Sequence, residues 1–180
     1  MLCCMLAAGG ARAGAILDSS VTLAQGVYRI AVDARIAAPV ATVYARITDY
    51  DHLSRINHAI ETSHVLRTDS PTRHRVRSVI KACVLFFCRR VHQVQDMTQD
   101  EGSRIEAHIL PQQSDFHAGH ALWRLEPAGT DTLMHFRAQL EPAFWVPPLI
   151  GPWLFERKIV SELLESAAVI ERDWRAGLTP

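Results

Sequence analysis

Lysine is almost missing from this 180-residue chain: Lys81 and Lys158 are the only two, and arginine supplies the rest of its nineteen basic residues. That bias tracks codon composition as readily as anion binding. Net charge is missing as well, because nineteen acidic residues cancel the basic ones. No global field therefore draws in nucleic acid or an anionic membrane surface. There is no apolar run of about eighteen residues or more, which leaves no candidate for a membrane-spanning helix. Cysteine is scarce, with Cys3 and Cys4 at the start and Cys83 and Cys88 in the body. Two cysteines five apart with no His-x-x-His partner lack the ligand set that zinc needs. No G-x-S-x-G and no Cys-His-Asn arrangement of known spacing is present, so nucleophilic catalysis has no motif to rest on.

What the chain does have is enough apolar residue for one core: 48% hydrophobic against 21% charged, a globular balance at a length suited to one domain. Met1 to Ala8 is apolar, and Ala11-Arg12-Ala13 gives a small-x-small pattern of the kind signal peptidase cuts. No basic n-region precedes that run. Residues 1–25 are therefore expected to be a signal-peptide remnant or a disordered N-terminus, with the folded domain over 26–177. The expected location is the periplasm or cell envelope, with the cytoplasm as the alternative. In an oxidising compartment Cys83 and Cys88 could close a disulfide across a tight strand connection. The other reading is two buried thiols acting as small hydrophobes.

Val27 to Ile36 alternates, with Tyr28, Ile30, Val32, Ala34 and Ile36 on one face, and this predicts a half-buried strand. Pro39 opens a helix whose apolar side is Val40, Val43, Tyr44 and Ile47. Thr48 and Asp51 look like a capping pair for a second short helix carrying Tyr50, Leu53 and Ile56. Six strands follow, Ile60–Thr68, Thr72–Ala82, Phe87–Met97, Arg104–Leu110, Phe116–Leu125 and Thr132–Leu140, divided by turn sequences such as Asp69-Ser70-Pro71 and Pro127-Ala128-Gly129. A helix of about 25 residues runs from Pro152 to Arg175, striped by Phe155, Ile159, Leu163, Ala167, Ile170 and Trp174. The class is α+β: a curved antiparallel sheet of about seven strands, wrapped around that helix because nothing else offers an apolar face large enough to cover it. The space between sheet and helix is where a ligand would go.

Several of these segments resemble the START-like superfamily, in its polyketide cyclase/dehydrase and coenzyme Q-binding branch. They are Ile36-Ala37-Ala38-Pro39-Val40 into Val43-Tyr44, Ile47 to Leu53, and Gly119-His120-Ala121-Leu122-Trp123-Arg124-Leu125-Glu126-Pro127 with its G-x-W-x-x-x-P look. The resemblance covers about residues 27 to 175. It implies a helix-grip fold with an internal apolar cavity and does not name the ligand.

Strand parity and the helix stripe put Ser78, Ile80, Ile109, Trp123, Phe136, Leu163 and Ala167 on the cavity wall, with Ser78 as a polar handle, and Tyr28 and His120 join them as ligand-binding candidates at inward or rim positions. Acid–base chemistry of the cyclase type would have to use Tyr28, Tyr44, His120 or Glu141. His117 and His120 point to opposite faces of one strand, so no metal is expected there; His120 and His135 could meet across the sheet. Arg73, Arg75, Arg77 and Lys81 lie on an outward strand face, near Arg89 and Arg90. That row is either an anionic headgroup contact or a solvated face paired with carboxylates. The proline-rich stretch Phe144, Trp145, Leu149, Ile150, Trp153 is a candidate gate or peripheral membrane contact. Three functions remain: carriage of a quinone, isoprenoid, sterol or acyl lipid; a cyclase or dehydratase; and an interaction module with a filled interior. Apolar small molecules are the expected partner. No cofactor, metal or nucleic acid is expected.

Overall fold

In the computed structural model, residues 14–84, 87–100, 102–146 and 152–178 are described. The chain runs β1 (Ala15–Ala24), β2 (Val27–Ile36), α1 (Val40–Ile47), a 3-10 helix (Tyr50–Arg55), β3 (Ile60–Ser70), β4 (Arg73–Val84), β5 (Phe87–Asp100) and β6 (Arg104–Ile109). A 3-10 turn (Pro111–Gln113), β7 (Phe116–Ala128), β8 (Asp131–Pro142) and α2 (Pro152–Arg175) complete it. All strands belong to one antiparallel sheet in the order β1-β2-β8-β7-β6-β5-β4-β3, with α2 across its concave face. This is the helix-grip fold.

The register explains the two faces. Across β2 and β8, Tyr28 faces Leu140, Ile30 faces Ala138 and Val32 faces Phe136. Across β7 and β8, Ala121 faces Ala138, Trp123 faces Phe136 and Leu125 faces Met134. These pairs form the inner face, and most of them are buried. The intervening pairs, His120 with Gln139 and Arg124 with His135, belong to the outer face, as a side-chain period of two requires.

Residues 15–24 correct the expectation of a leader or disorder there. They form β1, the eighth strand, joined to β2 by the two-residue turn Gln25-Gly26, in which both residues have positive φ (53° and 80°). Such a turn matches the twist of the flanking strands. Val21 of β1 enters the main core, and Ser19 Oγ donates to Glu156 Oε1 of α2 at 2.6 Å. The signal-peptide reading of residues 1–13 lies outside the described residues.

The predicted capping pair does not form. Thr48 Oγ1 donates backward to the Tyr44 carbonyl, and Asp51 Oδ1 accepts from the Val65 amide. Asp51 thus ties the 3-10 helix to β3. The helix stripe holds from Phe155 to Ile170 but not at Trp174, which is 46% exposed. The last turn of α2 is fastened by polar contacts instead. Glu171, buried at 1% exposure, accepts from the Ala37 amide at 2.8 Å and from Arg175. Buried Arg46 reaches Asp173 and the Leu178 carbonyl. Cys83 and Cys88, opposite each other at the end of the β4–β5 hairpin, are joined by a disulfide.

Candidate functional site

A cavity of about 320 Å³ lies between the sheet and α2. The inner-face parity of β4 to β8 supplies Ser78, Ile80, Ile109, Trp123 and Phe136 to its wall, and the helix stripe supplies Leu163 and Ala167. Seven of the nine ligand-binding candidates therefore project into it. Trp123 and Phe136, directly opposite across β7 and β8, have ring centroids 5.1 Å apart. Gly119 leaves room on the same wall, since a Cβ there would lie 2.3 Å from Ile109 Cδ1.

The other two candidates are placed differently. Tyr28 is buried but does not line the cavity; its ring packs on Phe155 at 4.6 Å between centroids. His120 borders the cavity, yet its side chain belongs to the outer face. It lies three positions from inward Trp123, an odd offset, so its ring points away and stacks on His108 with centroids 4.6 Å apart. His135, the partner expected for His120, instead contacts Asp33 Oδ1 at 2.8 Å.

The wall is mainly apolar, and its polar members are few. Ser78 is 1% exposed, and its Oγ finds no hydrogen-bond partner among the described residues. Glu162 reaches the wall from α2 with Oε1 ion-paired to Lys158 and Oε2 buried without a partner among those residues. Asn57, Gln93, Gln95 and Ser166 also contribute. Tyr50 adds a hydroxyl that accepts from Gln99 Nε2 at 2.9 Å, while the Tyr44 hydroxyl donates to Gln99 Oε1 at 3.0 Å. Burial pushes the Tyr50 pKa up to about 12, so its hydroxyl stays neutral. Burial also raises Tyr28 and Tyr44 above the usual tyrosine value.

Sequence reasoning missed Glu162, Gln93, Gln95 and Tyr50 as wall residues. The two glutamines share the parity of Val91 on β5, and counting from it would have found them. Glu162 adjoins Leu163 on the covering helix, where an apolar stripe draws the eye past a carboxylate. Of the proposed acid–base set, Tyr28, Tyr44 and Glu141 do not line the cavity.

The candidate gate divides. Phe144 packs edge-on against Phe116 at 6.1 Å with Arg89 over its ring at 4.7 Å. Trp145 and Trp153 stand 74% and 68% exposed. Leu149 and Ile150 lie outside the described residues. On the outward basic row, Arg75 makes a two-pronged ion pair with Asp96, at 2.7 and 2.8 Å, and Arg90 pairs with Glu61. Among the described residues no helix is long and apolar enough to cross a membrane.

Solved structures of the same architecture include an aromatase/cyclase, Zhui, from Streptomyces sp. R1128, with TM-score 0.69 and 16% identity over 86% of this chain and 99% of that one. A protein of Thermus thermophilus gives TM-score 0.66 and 19% identity over 83% and 98%. A STAR-related lipid transfer protein fragment from Xanthomonas axonopodis gives 0.64 and 13% over 87% and 98%. At these identities the likeness is one of fold. No curated protein sequence matches the chain. The sequence itself matches the family described as polyketide cyclase / dehydrase and lipid transport over residues 28–177, which span the sheet from β2 onward, the cavity and the covering helix. The chain belongs to that family.

Proposed function

We propose that this protein binds and carries an apolar small molecule with one polar end, such as a quinone, an isoprenoid, a sterol or an acyl lipid. The observation that carries this reading is the cavity itself: about 320 Å³, within the range of small-molecule sites, apolar over most of its wall, with buried oxygens on Ser78 and Glu162 that have no partner among the described residues. Apolar burial at about 25 cal/mol per Å² drives entry. A buried hydroxyl with no partner is costly in the empty protein, and a ligand's polar group that satisfies it gains orientation. A void of this size also speaks against an interaction module with a side-chain-filled interior.

We extend the proposal to delivery. Trp145 ahead of α2 and Trp153 in its first turn are exposed and suit transient contact with an apolar surface. Residence in an oxidising envelope compartment is supported by the Cys83–Cys88 bond.

Native mass spectrometry of the purified protein, followed by denaturing extraction, tests the carrier reading. A stoichiometric apolar molecule is the expected result. An empty protein that takes up nothing from a lipid and quinone extract overturns it. A cyclase or dehydratase would instead have to work through Glu162 and Tyr50, the ionisable side chains on the wall, and would convert rather than retain what it takes up.

A further inference from the structure

The outer face of the sheet carries a second constellation, separate from the cavity. Glu106 and His108 are two apart on β6 and so project from the same face. His120 of β7 sits directly opposite His108 in the register. One donor atom from each of the three lies within 4.8 Å of the other two. His108 is exposed, and Glu106 and His120 are half-exposed.

We propose that Glu106, His108 and His120 form a binding site for a late first-row divalent metal ion, zinc foremost. Two imidazoles and one carboxylate are the donor set zinc accepts when three protein ligands leave a fourth position open. Metal–ligand distances of about 2.0 to 2.2 Å require the donors to close by roughly an ångström. Side-chain torsions of these exposed and half-exposed residues on two paired strands supply that movement. The surroundings decide the class of ion. Arg104 and Arg124 face each other beside the site, and Arg104 holds one oxygen of Glu106. Those cations disfavour calcium or magnesium, which depend on charged oxygen ligands, and leave an ion bound chiefly through neutral nitrogen. Asp96, opposite His108 on β5, is held by Arg75 and serves as an outer neighbour. His120 also borders a hollow of about 350 Å³ on this face, with Arg29, Arg137 and Gln139 around it. The open coordination position is accessible to water or to a small ligand from that side.

Titration of the full chain with zinc chloride at neutral pH, followed by calorimetry, is the test. One equivalent should bind, and it should raise the unfolding temperature. His108→Ala and His120→Ala should each weaken binding by about tenfold or more and abolish the thermal shift, with Glu106→Gln having a smaller effect. Circular dichroism confirms that the variants fold; none of the three side chains is in the core. If the folded wild-type protein takes up no zinc, the proposal is wrong. Uptake that survives both histidine substitutions would place the metal elsewhere on the chain and is equally fatal to it. Occupancy of the inner cavity by an apolar ligand bears on neither result.

Discussion

At the scale of single residues, the cavity wall contains a deliberate imperfection. The Ser78 hydroxyl is fully buried without a partner among the described residues, a state that costs about 1 to 3 kcal/mol. Ser78→Ala, which removes only the hydroxyl oxygen, should therefore leave the protein as stable or more stable in urea unfolding, while weakening ligand retention by roughly tenfold, the equivalent of one hydrogen bond. Loss of stability together with full retention would show that the hydroxyl has no part in binding. Tyr50 makes a second prediction. Its folded-state pKa of about 12 lies above the ordinary tyrosine value of 10.0, so its contribution to stability is complete below pH 10 and is lost as pH rises through about 12. Unfolding measured across the alkaline range should show that decline, and Tyr50→Phe should reduce its slope. Small residues are constrained here no less than large ones. Gly119→Ala would drive a methyl into Ile109 and should cost about 1 to 3 kcal/mol by overpacking.

At the scale of elements, most of the fold is legible from spacing. The alternation in β2 and the stripe of α2 each reflect burial on one face, the strongest physical signal a sequence carries, and the turn sequences of the meander mark where the backbone reverses. Elements held by polar contacts are harder to read. β1 passes for part of a leader because its alternation, Val21 and Leu23, is short and its neighbours are small and polar. The Gln25-Gly26 turn between two strand-like runs is the signal that marks it as a strand. Trp174 fits the helix stripe by spacing alone, although Glu171 and Arg46 hold the last turn. The face of His120 follows from its distance to Trp123, a count that the apolar pattern around it obscures. The polar wall at Glu162 leaves no periodic trace. Glu171 gives the prediction at this scale. Glu171→Ala would leave the Ala37 amide unpaired and empty a buried site, at a cost of about 2 to 3 kcal/mol, whereas Glu171→Gln keeps an acceptor and should cost less. Denaturation midpoints for the pair would separate the hydrogen bond from the packing.

At the scale of the whole molecule, electrostatics and volume set the response to conditions. Arg75 holds the Asp96 carboxyl below the usual range, and Arg137 with His135 does the same for Asp33. A lowered carboxylate pKa contributes stability that is complete above the unfolded value near about 3.9 and fades as pH falls through the lower folded value. Acid unfolding should therefore sharpen below about pH 4, and Asp96→Asn should lower stability near neutrality while flattening that acid limb. Partial exposure of these pairs keeps each effect small. The cavity has a mechanical consequence of another kind. A folded chain whose apolar-walled cavity is packed less densely than bulk water occupies more volume than its unfolded, hydrated form, so compression favours unfolding. A guest that fills the cavity reduces that volume difference. Resistance to hydrostatic pressure thus becomes a gauge of occupancy: the loaded protein should withstand compression that unfolds the empty one, and the difference can be measured before the guest is identified.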